Sequence, residues 1–293
     1  MYTQVFGNYL LSKELITKEQ LLAALTKKSL TPIQTSTLAL YYGYVSASEA
    51  EQLVTMQQEE GRKFSELAIE NGYLTQEQVL TLLNSKVPDF LLLGQILLEN
   101  GAFTYEQFEN ILVDYRCQNE LMELEMNSDK DDVQQLIDIF FILSEKSITS
   151  FARLYLELLF NNFIRMIGDD FTPLQPSEIT EFSAEYTVMQ EIKGTYSSRT
   201  YISMDLETAI CFTERYTSEA FNEFNEYVQA CLEDFLNLHN GLFIVNASND
   251  ESTELTLGTP CVVEEEILIF EKGAYYFPVC FPFGMVHFIL EVN

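Results

Sequence analysis

A capped helical hairpin recurs four times within residues 1–118, and this recurrence confines that part of the chain to stacked helices. Ile16, Val45, Leu74 and Phe103 are equivalent positions, 29 residues apart each time. Directly after each comes a Ser or Thr with a Gln or Glu three residues on: Thr17 with Gln20, Ser46 with Glu49, Thr75 with Gln78, Thr104 with Gln107. The hydroxyl oxygen accepts from an orphan N–H of the first helical turn, and the longer side chain reaches back to the capping residue's own N–H. The apolar residue before each cap is then a staple, predicted to pack on Leu21, Ala50, Val79 and Phe108 respectively. Two residues before the staple, Gly43, Gly72 and Gly101 supply a left-handed stop for the preceding helix, where the first copy has Glu14. Each repeat reads as a short helix, a tight turn and a longer capped helix.

The chain changes character near residue 118. Residues 1–118 hold 8 Lys/Arg against 14 Asp/Glu, and residues 119–293 hold 8 against 31. A step of that size marks a boundary, with 119–135 as an acidic linker that breaks at Asn127-Ser128. The formal net charge of −29 excludes nucleic acid and anionic membrane as partners, because phosphate binding needs clustered Lys and Arg. The N-terminus lacks a basic start followed by an apolar run, so no signal peptide is expected. The richest apolar window, Tyr275–Leu290, is interrupted by Pro278, Pro282 and Gly284 and reads as two strands, not a membrane span. Five cysteines, Cys117, Cys211, Cys231, Cys261 and Cys280, lack metal-ligand spacing and are expected to be reduced core residues of a soluble, cytoplasmic protein.

Residues 136–293 read as α+β. Helical periodicity covers Val133–Leu143 and Ile148–Ile167 and stops at Gly168-Asp169-Asp170, with Pro173 and Pro176 in the loop that follows. Tyr186–Lys193 and Arg199–Met204 alternate and form a hairpin across Gly194–Ser198, and Leu206–Tyr216 is a short helix with Ala209 and Cys211 inward. A long helix, Ala220–Gly241, carries the apolar stripe Phe221, Phe224, Val228, Cys231, Leu232, Phe235 and Leu236. Strands are predicted at Glu254–Leu257, Cys261–Phe270, Ala274–Cys280 and Met285–Val292. The expected architecture is all-α hairpin repeats followed by an antiparallel sheet with helices on one face.

On the polar side of the long helix, Asp234 and Asn237 lie three residues apart and are neighbours on its surface. A carboxylate beside a carboxamide can hold a partner's cation and orient a water. Other chemistry is sparse. His239 and His287 lack metal-ligand spacing, and there is no glycine-rich phosphate loop or nucleophile elbow. Glu264-Glu265-Glu266 reads as an exposed strand end. No metal and no cofactor are expected.

Two family resemblances frame these residues. The repeats resemble the N-terminal domain of type II secretion and type IV pilus assembly ATPases. Some of those domains bind cyclic di-GMP through Arg-Leu-Gly at the start of a repeated run and Gln at its end. Here the starts are Val5-Phe6-Gly7, Gln34-Thr35-Ser36, Lys63-Phe64-Ser65 and Leu92-Leu93-Gly94, and the ends are Lys28, Gln57, Lys86 and Tyr115. The arginine is absent throughout and only the second copy keeps the glutamine, so the repeats read first as a scaffold for docking partners.

Residues 148–293 resemble the CheX family of chemotaxis phosphatases, related to CheC and FliY. The family motif on the long helix is Asp or Ser, three residues, Glu, two residues, Asn, then 22 residues and Pro. Here Asn237 is followed by 22 residues and Pro260, and Gly241 falls where the family ends this helix. Gly194 and Ala209 also match family positions. The resemblance implies that Asn237 orients the water attacking an aspartyl phosphate, that Asp234 holds the lysine of a CheY-like response regulator, and that Pro260 shapes the nearby strand. It also implies a homodimer joined through sheet edges. Two positions differ: Asp234 replaces Glu and is about 1.5 Å shorter in reach, one C–C bond, and Ala230 stands at the Asp/Ser position. Glu233, about 40° round the helix from Asn237 where Asp234 is about 60° away, is a second candidate for the long carboxylate. Three functions follow in order: a CheX-like phosphatase acting on a response regulator, a CheX-fold adaptor without turnover, and a cyclic di-GMP sensor.

Overall fold

The computed structural model describes residues 3–292 except 29–30, 86, 126–136, 138–148, 195–196, 252–253 and 264–266. The chain divides into two compact units, Met1–Ser128 and Asp129–Asn293.

The first unit contains α1 (Thr3–Ser12), α2 (Lys18–Lys28), α3 (Thr35–Tyr41), α4 (Ala47–Glu60), α5 (Phe64–Glu70), α6 (Gln76–Asn84), α7 (Asp89–Glu99) and α8 (Tyr105–Glu125). All four capping boxes form in both directions, as in Thr75 N–H to Gln78 Oε1 at 2.8 Å and Gln78 N–H to Thr75 Oγ1 at 3.2 Å. The four staples and their partners are buried, and Phe103 stacks on Phe108 at 6.4 Å. Gly43, Gly72 and Gly101 adopt φ of 68°, 76° and 76°. Glu14 takes the same left-handed turn with φ 55° and the same backbone bonds, Glu14 N–H to Leu11 O and Leu15 N–H to Leu10 O. A side chain in that region costs about 1–2 kcal/mol, part of which glycine gives back as unfolded-chain entropy. Glu14→Gly is therefore expected to raise stability by roughly 0.5–1 kcal/mol, checked by urea unfolding; a loss would show that Glu14 earns its place through its side chain. Helix α8 runs to Glu125, beyond the charge step at residue 118.

The second unit is an antiparallel sheet with three described helices on one face: α9 (Ser150–Met166), α10 (Leu206–Thr217) and α11 (Glu226–Glu251). Its strands are β1 (Thr172–Pro173), β2 (Ser177–Ser183), β3 (Tyr186–Gly194), β4 (Ser198–Met204), β5 (Leu255–Leu257), β6 (Cys261–Val262), β7 (Ile267–Phe281) and β8 (Gly284–Val292). The order is β1-β7-β8-β4-β3-β5, with β2 also on β7 and β6 also on β3. Beneath the helices Phe163 meets Phe171, Phe235, Phe281 and Phe288 at centroid distances of 5.2–6.1 Å.

The hairpin and α10 form where the alternation and the Asp205 cap place them. Several expectations need correction. The long helix begins at Glu226, because Asn225 Oδ1 accepts from the N–H groups of Tyr227 and Val228 and caps it there. Phe221 and Phe224 precede it; Phe224 packs on Tyr186 instead. Gly241 does not end the helix, which continues ten residues to Glu251, since Phe243 and Ala247 extend the buried stripe. The Pro173–Pro176 stretch holds a short strand rather than only a loop, and β2 follows it. Strand β7 is one 15-residue strand bent at Gly273 (φ 82°), not the end of one strand and the start of another. Its first half folds across the sheet face away from the helices, where Leu268 and Phe270 pack with Tyr201 and Ile289. Cys231 and Cys280 are buried, Cys211 is half-buried beside the inward Ala209 and Phe212, and Cys117 and Cys261 are exposed; all five are free thiols. The hinge at Asn127-Ser128, residues 133–143 apart from Ile137, and Glu264–Glu266 lie outside the described residues.

Candidate functional site

Helix α11 positions the site. Val228, Cys231, Leu232, Phe235, Leu236, His239, Asn240 and Phe243 face the interior, which leaves Asp234 and Asn237 on the exposed side. Ala230, one turn earlier, is also exposed and offers no polar group. The spacing thus puts the carboxylate and the carboxamide on one accessible face.

Each is held by a residue from elsewhere in the chain. Tyr216, at the end of α10, donates its hydroxyl to Asp234 Oδ2 at 2.7 Å. Burial and then this carboxylate push the Tyr216 phenol well above its ordinary pKa, so it stays a donor. Tyr216 is itself set edge-on against Phe235 at 5.7 Å, which connects Asp234 to the aromatic core. Asn237 Oδ1 accepts from Gln190 Nε2 at 2.7 Å, and the same nitrogen donates to Gly258 O at 2.9 Å. Gln190 lies on β3 and is fully buried. Its Oε1 accepts from Asn240 Nδ2 at 2.7 Å, and Asn240 Nδ2 also donates to Thr200 Oγ1 at 2.8 Å. Tyr155 OH completes the group by donating to Asn240 Oδ1 at 3.3 Å. A buried amide network in which every donor finds an acceptor is stiff, because breaking one member leaves a desolvated polar group costing about 1–3 kcal/mol.

Glu233 is half-buried, and its Oε1 accepts from Gln229 Nε2 at 3.0 Å. It is close enough to Tyr186 to add to the rise in that phenol's pKa, which burial dominates. Its side chain is thus committed along the helix and toward β3. Pro260 follows the site's other anchor: the loop carrying it is tied down at Gly258, whose N–H donates to Glu191 O at 2.8 Å and whose carbonyl receives Gln190. His239 is fully buried between Tyr155, edge-to-face at 4.4 Å, and Asn162, 3.0 Å from its Nδ1. Burial drives its pKa down to about 3, so the ring is neutral. His287 is 2.8 Å from the Tyr276 hydroxyl. Among the described residues no group of three or more His, Cys, Asp and Glu could hold a metal ion, and no helix is long and apolar enough to cross a membrane.

Gln190, Thr200, Asn240, Tyr155 and Tyr216 were not singled out by the sequence. Two of them leave a trace there. Gln190 falls between Val188 and Ile192 on the inward face of an alternating strand, and Asn240 falls in the buried stripe of α11. A polar side chain in an apolar register is the signal.

In the first unit, the start positions of the second and third repeats share an open cavity of about 730 Å³, lined by Gln34, Thr35, Ser36, Lys63, Phe64 and Ser65, with Gln57 also in its wall. Gln34 Nε2 donates to Glu99 Oε1 at 2.8 Å. Among the described residues Lys63 is the one cation in that lining, and a single ammonium is a weak match for two phosphates.

No family model matches the chain, and no curated protein matches it. Solved structures do. The chain is similar to a CheC-like superfamily protein from Shewanella sp. PV-4, at 15% identity and TM-score 0.45 over 50% of this chain and 99% of that one. It is also similar to the chemotaxis protein CheX from Vibrio vulnificus, at 16% identity and TM-score 0.44 over 50% of this chain and 100% of that one. A third similarity is to the CheX–CheY–BeF3–Mg2+ complex from Borrelia burgdorferi, at 14% identity and TM-score 0.41 over 49% of this chain and 98% of that one.

Proposed function

We propose that the exposed face of α11 docks a phosphorylated CheY-like response regulator and speeds hydrolysis of its aspartyl phosphate. The observation that carries this reading is an exposed asparagine whose carboxamide is nonetheless fixed by a buried partner, one helical turn from a carboxylate held by the hydroxyl of the half-buried Tyr216. An ordinary solvated Asn–Asp pair has no need of either anchor. In the reaction, water oxygen attacks phosphorus, the bond from phosphorus to the aspartyl oxygen breaks, and the water's proton leaves with inorganic phosphate. Such transfers depend on in-line placement and charge compensation more than on covalent help. Asn237 places the water, and Asp234 takes the regulator's lysine through Oδ1, since Oδ2 is engaged by Tyr216. Pro260 fixes the loop beside Asn237, and the first unit serves as a docking platform.

The short reach of Asp234 and the bare Ala230 favour a second reading, an adaptor that binds the regulator without turnover. A decay time course of the phosphorylated regulator separates the two. Wild type is expected to accelerate decay, and Asn237→Ala to lose roughly 100-fold of that acceleration, the scale of a misplaced reactant. Equal, unchanged decay with both proteins, together with retained binding, would leave the adaptor.

A further inference from the structure

We propose that Gln190 is a positioning residue that turns the NH2 of Asn237, rather than its carbonyl, toward the partner, so that Asn237 meets an acceptor oxygen. The direction of the amide follows from an atom that has only one role. Gly258 O is a backbone carbonyl and can only accept, so the Gln190 atom 2.9 Å from it is the NH2 nitrogen. That nitrogen is also 2.7 Å from the near atom of Asn237, which must then be the carbonyl oxygen. The far atom, facing solvent, is Nδ2 with two protons to give.

The rest of the network agrees with this polarity. Both protons of Gln190 Nε2 are used, one on Asn237 and one on Gly258. Gln190 Oε1 therefore needs a donor and has one in Asn240 Nδ2, whose other proton goes to Thr200 Oγ1. Thr200 in turn gives its proton to the Gln190 backbone carbonyl at 3.3 Å, a second atom that can only accept. Rotating Asn237 by half a turn would set NH2 against NH2 at 2.7 Å, so the closed chain forbids it. The group Asn237 offers outward is thus a donor, suited to a phosphoryl oxygen or to a lone pair on the attacking water, and it cannot take the water's proton. What the NH2 meets rests on the phosphatase reading above; the direction of the amide does not.

The test uses the full chain labelled with 15N. In the wild type, the side-chain amide signals of Gln190 and Asn237 are expected away from the free-amide region. Gln190→Leu, with its backbone spectrum retained, is expected to return the Asn237 signal to the free-amide position. An unmoved Asn237 signal in that variant would overturn the bracket. Asn237→Asp probes only the exposed end: its carboxylate still accepts from Gln190 but turns an acceptor outward. It is expected to slow regulator dephosphorylation as much as Asn237→Ala, by about 100-fold. Wild-type rates for Asn237→Asp would also overturn the proposal. If the amide signals shift as expected while Asn237→Ala leaves regulator decay unchanged, the bracket stands and the phosphatase reading falls.

Discussion

Phe163→Ala is expected to destabilise the second unit by about 3–5 kcal/mol, the range for deleting a fully buried aromatic ring that its surroundings cannot collapse to fill. Phe163 is the hub of that core. It stands between Phe171 and Phe235 on the helical side and meets Phe281 and Phe288 from the sheet, at 5.2 and 5.3 Å. Four rings lose a partner at once, and each edge-to-face or stacked pair adds about 0.5–1.5 kcal/mol beyond the area it buries. For a unit of this size the melting point should fall by roughly 10 °C or more. Tyr227→Ala, exposed at the start of α11, is the control and should change stability by about 0.5 kcal/mol or less. Urea unfolding of both variants decides the matter: a Phe163→Ala cost near that of Tyr227→Ala would mean that the aromatic cluster is not the centre of the fold. The consequence reaches the site as well. Phe235 stacks on Phe163 and supports Tyr216, which holds Asp234, so a loosened core should also release the carboxylate.

That chain of contacts shows which parts of this protein can be read from its sequence. The capping boxes, staples and left-handed stops were legible because each is decided within a few residues, by one hydroxyl, one amide and one glycine. Even Glu14, which breaks the glycine pattern, takes the conformation its neighbours impose. The hairpin and α10 were legible for the same reason. The bend in β7 was not, since Lys272-Gly273 resembles a turn and only the pairing with β2 and the packing of Phe270 on Tyr201 make it one strand. The exposed pair Asp234 and Asn237 could be found by helical spacing. Their anchors could not, because Tyr216 and Gln190 lie 18 and 47 residues away and meet them only through tertiary packing. What spacing reveals is where a group points; what holds it there is non-local.

Acid should loosen the same site through His239, with the largest pH effect expected of any single residue described. The folded protein keeps this ring neutral, with a pKa of about 3 against 6.5 for an exposed histidine. Its contribution is therefore fully present above pH 6.5, where neither state takes the proton. As pH falls through 6.5 the unfolded chain gains a proton that the folded chain refuses, and stability drops by up to about 1.4 kcal/mol per pH unit until near pH 3. Between pH 6.5 and 4.5 the loss is roughly 2 kcal/mol. Carboxylates such as Glu49 and Glu191, whose pKa values are lowered by their hydrogen bonds to Ser46 and Lys193, add their losses only below that window. His239→Phe isolates the histidine. It keeps a ring against Tyr155 and leaves Asn162 Nδ2 without this acceptor, a cost of about 1–3 kcal/mol that does not vary with pH. The gap in unfolding free energy between wild type and variant should thus shift in the variant's favour by roughly 2 kcal/mol between pH 6.5 and 4.5. A gap that stays constant across those pH values would show that the ring is protonated in the folded protein or opens to water without unfolding. Asn240, next in sequence to His239, holds Gln190, and Gln190 holds Asn237. Unfolding driven by this protonation should accordingly free the Asn237 carboxamide in the same step, so its side-chain signal ought to move together with the global transition.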